Sequence, residues 1–178
     1  MVLGAAGLMM VGAGCNPFAK MQERVAQNVI ENVVENQIKK ETGKDVNIDL
    51  NGKNLTVTGA DGEGMFTAGE DVKLPSDFPK SVPIYGGATI KSVVTVPGEE
   101  GANVVLETSD SPTTVRDWYK KEAEAKGWKQ TAALDLEGDS HMLAFDREEN
   151  GATWAMTASI SSKSEDGKTG IFLVYSKK

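Results

Sequence analysis

The chain has one cysteine, Cys15, and one histidine, His141, in 178 residues. That scarcity excludes a zinc-type His/Cys cluster within one chain. It also excludes an internal disulfide, so stability rests on packing. Basic residues are short too, 19 Lys+Arg against 26 Asp+Glu, for a net charge of −7. This balance excludes nucleic acid, whose binding needs clustered Lys and Arg, and electrostatic adhesion to anionic lipid. No apolar run approaches the roughly 20 residues a helix needs to cross a bilayer. There is no phosphate-cradling Gly-Lys-Ser/Thr loop, no dinucleotide fingerprint and no nucleophile elbow around a serine. Apolar residues make up 39% of the chain, enough for a core and too many for wholesale disorder. The length allows one domain, or one domain with a small appendage.

What is present begins at the N-terminus. Val2, Leu3, Ala5, Ala6, Leu8, Met9, Met10 and Val11 form a short apolar run that ends in Gly12-Ala13-Gly14-Cys15. A run of that length before small residues fits a signal h-region, and a cysteine directly after it fits the lipid-bearing residue of a bacterial lipoprotein. No Lys or Arg precedes the run, so residues 1–14 are expected to be a signal peptide shortened at its start. Acyl chains on Cys15 contribute about 0.8 kcal/mol per buried CH₂, and two or three hold a domain at a membrane surface. The alternative is an ordinary packed N-terminal segment with Cys15 as a small buried hydrophobe.

Residues 15–73 are expected to hold the anchor, a helix and a hairpin. From Phe18 to Thr42, Met21, Val25, Val29 and Val33, with Ile30, Val34 and Ile38, recur at helical spacing as one stripe. The stripe is expected to dock on the domain or on a second copy. Val46 to Thr58 reads as a hairpin turning at Asn51-Gly52, with Leu50 opposite Lys53, Ile48 opposite Leu55 and Val46 opposite Val57. Gly59 to Lys73 reads as a loop rich in Gly and in acid, with Asp61, Glu63, Glu70 and Asp71. Its spacing does not match a calcium-binding EF-hand. A solvated loop is expected, with Met65 and Phe66 pinning it to the core.

Residues 74–88 carry Pro75, Pro79 and Pro83 at four-residue spacing. These forbid helix and favour an extended strap, with Phe78, Val82, Ile84 and Tyr85 as apolar handles. Residues 89–178 read as a regular unit. Two β-branched strands, Thr89 to Val96 and Ala102 to Thr108, precede a helix that Ser111 caps and Pro112 opens. Val115, Trp118, Tyr119 and Ala123 share its inner face, and Gly127-Trp128 closes it as in a Schellman cap. Trp128 to Leu136 follows as a strand. Asn150-Gly151 then pairs Phe145 with Met156, Leu143 with Ala158 and Arg147 with Trp154. Asp166-Gly167 pairs Ile160 with Leu173, Ala158 with Tyr175 and Ser162 with Ile171. Both hairpins place Phe145, Trp154, Met156, Ile160, Ile171, Leu173 and Tyr175 on one face. Met142, Ala144, Ala155, Phe172 and Val174 share the other face with polar residues. The expected fold class is α+β: an N-terminal amphipathic helix and β-hairpin, then a β-β-α-β-β-β-β antiparallel sheet with one helix on a face.

The string Leu74-Pro-x-Asp-Phe-Pro-x-x-Val-Pro-Ile-Tyr-x-Gly-Ala88, followed by Asp110-Ser-Pro-x-x-Val-x-x-Trp-Tyr119 and Gly127-Trp128, together with Cys15, resembles small, functionally uncharacterised bacterial lipoproteins. In these an anchor and linker precede an α+β domain. The resemblance implies a cell-envelope location and carries over no catalytic residue.

The search for chemistry finds little. His141 is placed opposite Ile160 on the apolar face at the sheet end, where a lone histidine is ordinarily a satisfied edge residue. Asp135, Glu137, Asp139, Asp146, Glu148 and Glu149 flank turns, whereas two-carboxylate hydrolysis needs a pair in a cleft. No catalytic, cofactor or metal residue is assigned. Trp118 and Tyr119 are expected to pack under the sheet; if that side of the helix is exposed, they form with Phe78 and Tyr85 the candidate binding surface, because aromatics dominate interface energetics. The expectation is a non-enzymatic, lipid-anchored extracytoplasmic module that binds a protein, peptide or envelope polymer. The alternatives are a carrier of a small apolar or amphiphilic ligand held between helix and sheet, and a hydrolase with a Ser/Lys or carboxylate site.

Overall fold

The computed structural model describes residues 35–36, 39–40, 45–59, 65–70, 72–95 and 100–178. The signal segment, Cys15 and most of the helix expected over 18–42 lie outside the described residues, although Glu35, Asn36, Lys39 and Lys40 are helical. Among the described residues nine strands form one antiparallel sheet. They are β1 (Val46–Asn51), β2 (Asn54–Gly59), β3 (Met65–Ala68), β4 (Thr89–Thr95), β5 (Gly101–Thr108), β6 (Lys129–Leu136), β7 (Ser140–Glu149), β8 (Ala152–Ile160) and β9 (Thr169–Lys177). Their spatial order is β1-β2-β3-β4-β5-β9-β8-β7-β6. Helix α1 (Pro112–Ala125) links β5 to β6.

This architecture corrects the expected fold class. The hairpin does not stand apart from the later sheet but forms its first two strands, and the molecule is dominated by one sheet rather than divided into a helix-hairpin part and a sheet. The joint is β3, which pairs with β2 through Val57 and Phe66 and with β4 through Phe66 and Val94. It lies inside the segment read as an acidic loop. Four residues between glycines carry too little alternation to show as a strand, and only pairing on both sides makes one.

The hairpin register also differs. Ile48 faces Val57 and Leu50 faces Leu55, two residues from the expected pairing. The loop is Gly52-Lys53, with Gly52 alone in the left-handed region at φ +64°. That pattern, glycine first, belongs to a type II′ turn, whereas Asn51-Gly52 would have needed positive φ at both positions. A slip of two leaves every side chain on its expected face.

The later half follows the sequence closely. Ser111 Oγ accepts the Thr114 N–H at 3.1 Å, and Pro112 opens α1. Its C-terminus is a full Schellman motif: Trp128 N–H donates to the Ala123 carbonyl and Gly127 N–H to that of Glu124, both at 2.9 Å. Asn150-Gly151 forms the type I′ turn, both residues at positive φ, with the expected pairs Phe145–Met156, Leu143–Ala158 and Arg147–Trp154. Across the other hairpin Ile160 faces Ile171 and Ala158 faces Leu173, again two residues from expectation. The reason is Ser164. Its N–H donates to the Lys168 carbonyl at 2.8 Å and its Oγ accepts the Lys168 N–H at 3.1 Å, so a wider loop replaces a two-residue turn at Asp166-Gly167.

The core lies between α1 and the sheet. Val115, Tyr119 and Ala123 of α1, with Val104, Leu106, Leu173 and Ala158 of the sheet, have no exposed surface. Residues 72–88 close one margin as successive turns rather than an extended strap, with Phe78 N–H donating to the Pro75 carbonyl, Val82 to Pro79 and Ala88 to Tyr85, each at 3.1 Å. Val82 and Tyr85 are buried in this core. At β1–β3 the apolar side reverses. Ile48, Leu50, Leu55, Val57 and Phe66 lie on the face away from α1, and Asp49, Thr56 and Thr67 on the face toward it. Ile48 is accordingly buried without joining the main core.

Candidate functional site

The outer face of the sheet, the side away from α1, holds a row that the strand registers align. From the β6 edge inward it runs Leu134, Met142, Ser159, Phe172, Val105. The row continues through Ser92, Ala68 and Leu55 to Leu50 in β1. Leu134 is 52% exposed, Leu136 50%, Phe172 45% and Met142 37%. These are the large exposed apolar side chains among the described residues, and all four share this face. Beside them an open groove of about 370 Å³ is bounded by Val105, Leu136, Met142 and Phe172 and is also lined by His141, Ile160 and Ile171. It is an open depression on the sheet surface rather than an enclosed cavity. Besides His141, its polar side chains are serines. Ser140 Oγ accepts the Ser162 N–H and Ser161 Oγ accepts the Gly170 N–H, both at 2.9 Å, while Ser159 puts a hydroxyl at the middle of the row. The groove can therefore hold an apolar group with a hydroxyl contact and offers no charge to a ligand's apolar end.

At one end of the groove His141 is buried, with 5% exposure. Its Nδ1 lies 2.7 Å from Asp135 Oδ1 and its Nε2 3.2 Å from Asp139 Oδ1. Thr113 donates to Asp139 at 3.1 Å, and Arg116 lies 3.6 Å from Asp135. The hydrogen bond from His141, followed by the charges of His141 and Arg116, holds the Asp135 carboxyl below the usual carboxylate range. Both ring nitrogens of His141 thus lie within hydrogen-bond distance of carboxylates.

Three of the four aromatic candidates from sequence, Tyr85, Trp118 and Tyr119, come together, but inward, while Phe78 packs on Tyr175. Tyr85 and Tyr119 are buried, Tyr119 completely, and Phe78 and Trp118 are half-buried against the core. Trp118 sits edge-on to both Tyr85 and Tyr119 with centroids 5.0 Å apart, and Phe78 is edge-on to Tyr175 at 5.5 Å. The Tyr85 hydroxyl donates to Asp110 Oδ2 at 2.6 Å. Burial, reinforced by that bond, pushes the Tyr85 phenol up to about 12. Thr108 Oγ1 donates to the Gly87 carbonyl and Thr169 Oγ1 to the Asp110 carbonyl, both at 2.8 Å. The cluster thus fastens residues 72–88 to the start of α1, with Trp118 and Tyr119 packed inward. The space between helix and sheet, expected for a carrier's ligand, is filled by Tyr119, Val115, Phe145 and Leu143.

A second hollow of about 530 Å³ between α1 and β6 is lined by Asp117, Lys120, Lys121, Glu124, Trp128 and Lys129 among others. Its mixed charges converge on no common point of recognition. Glu70 of the acidic segment pairs with Lys53 at 2.7 Å, while Asp61, Glu63 and Asp71 lie outside the described residues. Among the described residues no three His, Cys, Asp or Glu side chains gather into a metal-holding group, and no helix is long and apolar enough to cross a membrane.

Sequence reasoning missed the groove. Met142 and Phe172 were visible as apolar residues facing away from the core, but their alignment with Val105 depends on β5 pairing with β9, which no local pattern announces. Comparison with known proteins adds one match. No curated protein and no solved structure matches the chain. A family model described as START domain-like matches residues 90–167, less than half of the chain, covering β4 through β8 with α1 and most of the groove.

Proposed function

We propose that the chain is a binding module without a catalytic step, which receives the apolar part of a small amphiphilic ligand on the outer face of its sheet. The alignment of Leu134, Met142, Phe172 and Val105 beside an open groove carries the reading. Four large apolar side chains at 37–52% exposure leave apolar area in water that a ligand would cover, at about 25 cal/mol per Å². The START domain-like match, compatible with a ligand-binding fold, supports it. The module is extracytoplasmic and held to a membrane by acyl chains on Cys15. The apolar run and Gly-Ala-Gly-Cys15 support that half of the proposal.

Titration with a fluorescent fatty-acid analogue tests the ligand. Phe172→Glu is expected to weaken binding roughly 10- to 100-fold, the equivalent of losing about 1.5–3 kcal/mol of aromatic burial. Unfolding of the variant should change by less than about 1 kcal/mol, because the side chain is a surface one. Equal affinity for both proteins, or no binding by either, overturns the reading. For the anchor, the intact mass of protein made in a bacterial host from the full gene should correspond to a chain starting at Cys15 with acyl-glyceryl groups. An unmodified chain retaining Met1 refutes it.

A further inference from the structure

The sheet ends differently at its two edges. At β1 the Ile48 N–H, an edge donor, is taken by Glu35 Oε1 at 2.7 Å, and Asn47 and Asp49 add exposed polar side chains. At the other edge all eight residues of β6 are exposed, and among the described residues β6 pairs only with β7. An exposed strand edge offers unpaired N–H and C=O groups to another strand, and proteins ordinarily block it with charge, proline or a bulge. Here a bulge between Gln130 and Ala132 interrupts the first part of β6, leaving Ala132 to Leu136 as the regular part. That stretch has no proline and one charge, Asp135, which His141 at 2.7 Å and Arg116 at 3.6 Å already compensate.

We infer that β6 is a self-association edge, at which two copies of this chain pair antiparallel about Leu134. The sequence of the strand selects the occupant. Centred on Leu134, the pairing sets Leu134 opposite its own copy and Ala132 opposite Leu136, all on the outer face with Met142. On the helix face it sets Ala133 opposite Asp135. Apolar faces apolar, and no like charges stand directly opposite. A pairing offset by one residue sets outer-face side chains against helix-face ones. The dyad sets Leu134 and Leu136, the two most exposed large apolar side chains among the described residues, against apolar cross-strand neighbours. It also carries the apolar row from one sheet into the next. The inference does not depend on the ligand proposed for the groove.

Sedimentation equilibrium of the full chain carrying Cys15→Ser, so that neither acyl chains nor a thiol joins the copies, tests it. A concentration-dependent dimer is expected. Leu134→Lys, which sets two ammonium groups across the dyad, should raise its dissociation constant at least tenfold. Phe172→Lys, on the same face but away from the edge, should leave it within about twofold. In the same Cys15→Ser background Leu134→Cys should be linked into a covalent dimer by a short bis-maleimide, and Ser176→Cys should not. A monomer at every concentration, a dimer indifferent to Leu134→Lys, or a dimer dissociated by Phe172→Lys overturns the inference. Loss of fatty-acid-analogue binding with the dimer intact bears on the groove alone.

Discussion

Trp128→Ala is expected to remove about 3–5 kcal/mol of folding stability, the usual consequence of deleting a fully packed aromatic. The indole is 3% exposed and lies in the core. Its Nε1 donates to the Ser81 carbonyl at 2.8 Å, its backbone N–H closes the end of α1, and the neighbouring Lys126 Nζ reaches the Lys80 carbonyl at 2.7 Å. One residue therefore joins the helix C-terminus to the turns at 79–82. Removing it opens a cavity and frees a carbonyl that is partly shielded from water. Since whole domains are stable by about 5–15 kcal/mol, the variant should sit near its unfolding midpoint under mild denaturant. Trp128→Phe separates the contributions. It keeps most of the apolar contact and loses the Ser81 bond, so a cost of about 1–3 kcal/mol is expected. Urea unfolding followed by circular dichroism measures both. A Trp128→Ala loss below about 1 kcal/mol would show that the turns at 79–82 hold without the indole.

The same residue illustrates what could be read in advance. Gly127-Trp128 was legible as a helix stop because a Schellman cap is a local device: glycine takes the left-handed position and an apolar residue folds back. The Asn150-Gly151 turn was legible for the same reason, both residues adopting positive φ within two positions. Ser111 and Pro112 gave the helix start. The features that escaped depend on contacts distant in the chain or on side chains that compete with the backbone. Ser164 widened a loop whose Asp166-Gly167 looked like a tight turn. β3 exists because β2 and β4 flank it. The burial of Tyr85 escaped because the spacing of the prolines does not reveal that the chain at 72–88 turns back over α1. The groove needed three non-local facts at once, the β5–β9 pairing and the registers of both neighbouring hairpins. The β8–β9 register, like that of β1–β2, was two residues from expectation without any side chain changing face, which is why the core residues were identified correctly from pairings that were not.

That parity makes adjacent residues of β9 the sharpest test of fold and function together. Leu173 points toward α1, aligned with Val104 and Ala158, and has no exposed surface. Phe172, one residue earlier, points to the outer face and is 45% exposed. Leu173→Ala is expected to cost about 2–5 kcal/mol by leaving a cavity in the middle of the sheet's packed face. It should leave affinity for the fatty-acid analogue within about twofold, since a change smaller than about 0.5 kcal/mol is barely resolved in binding. Phe172→Ala is expected to behave oppositely, with less than about 1 kcal/mol lost on unfolding and a roughly tenfold or greater loss of analogue binding. The larger of the two deletions by volume should thus be the milder for stability, which size alone would not forecast. Equal unfolding costs would mean that β9 does not present these two side chains to opposite environments. Binding lost in Leu173→Ala and retained in Phe172→Ala would move the ligand from the outer groove to the space beneath α1. The crossed outcome, stability at 173 and binding at 172, follows only if one face of this sheet holds the molecule together and the other receives what it binds.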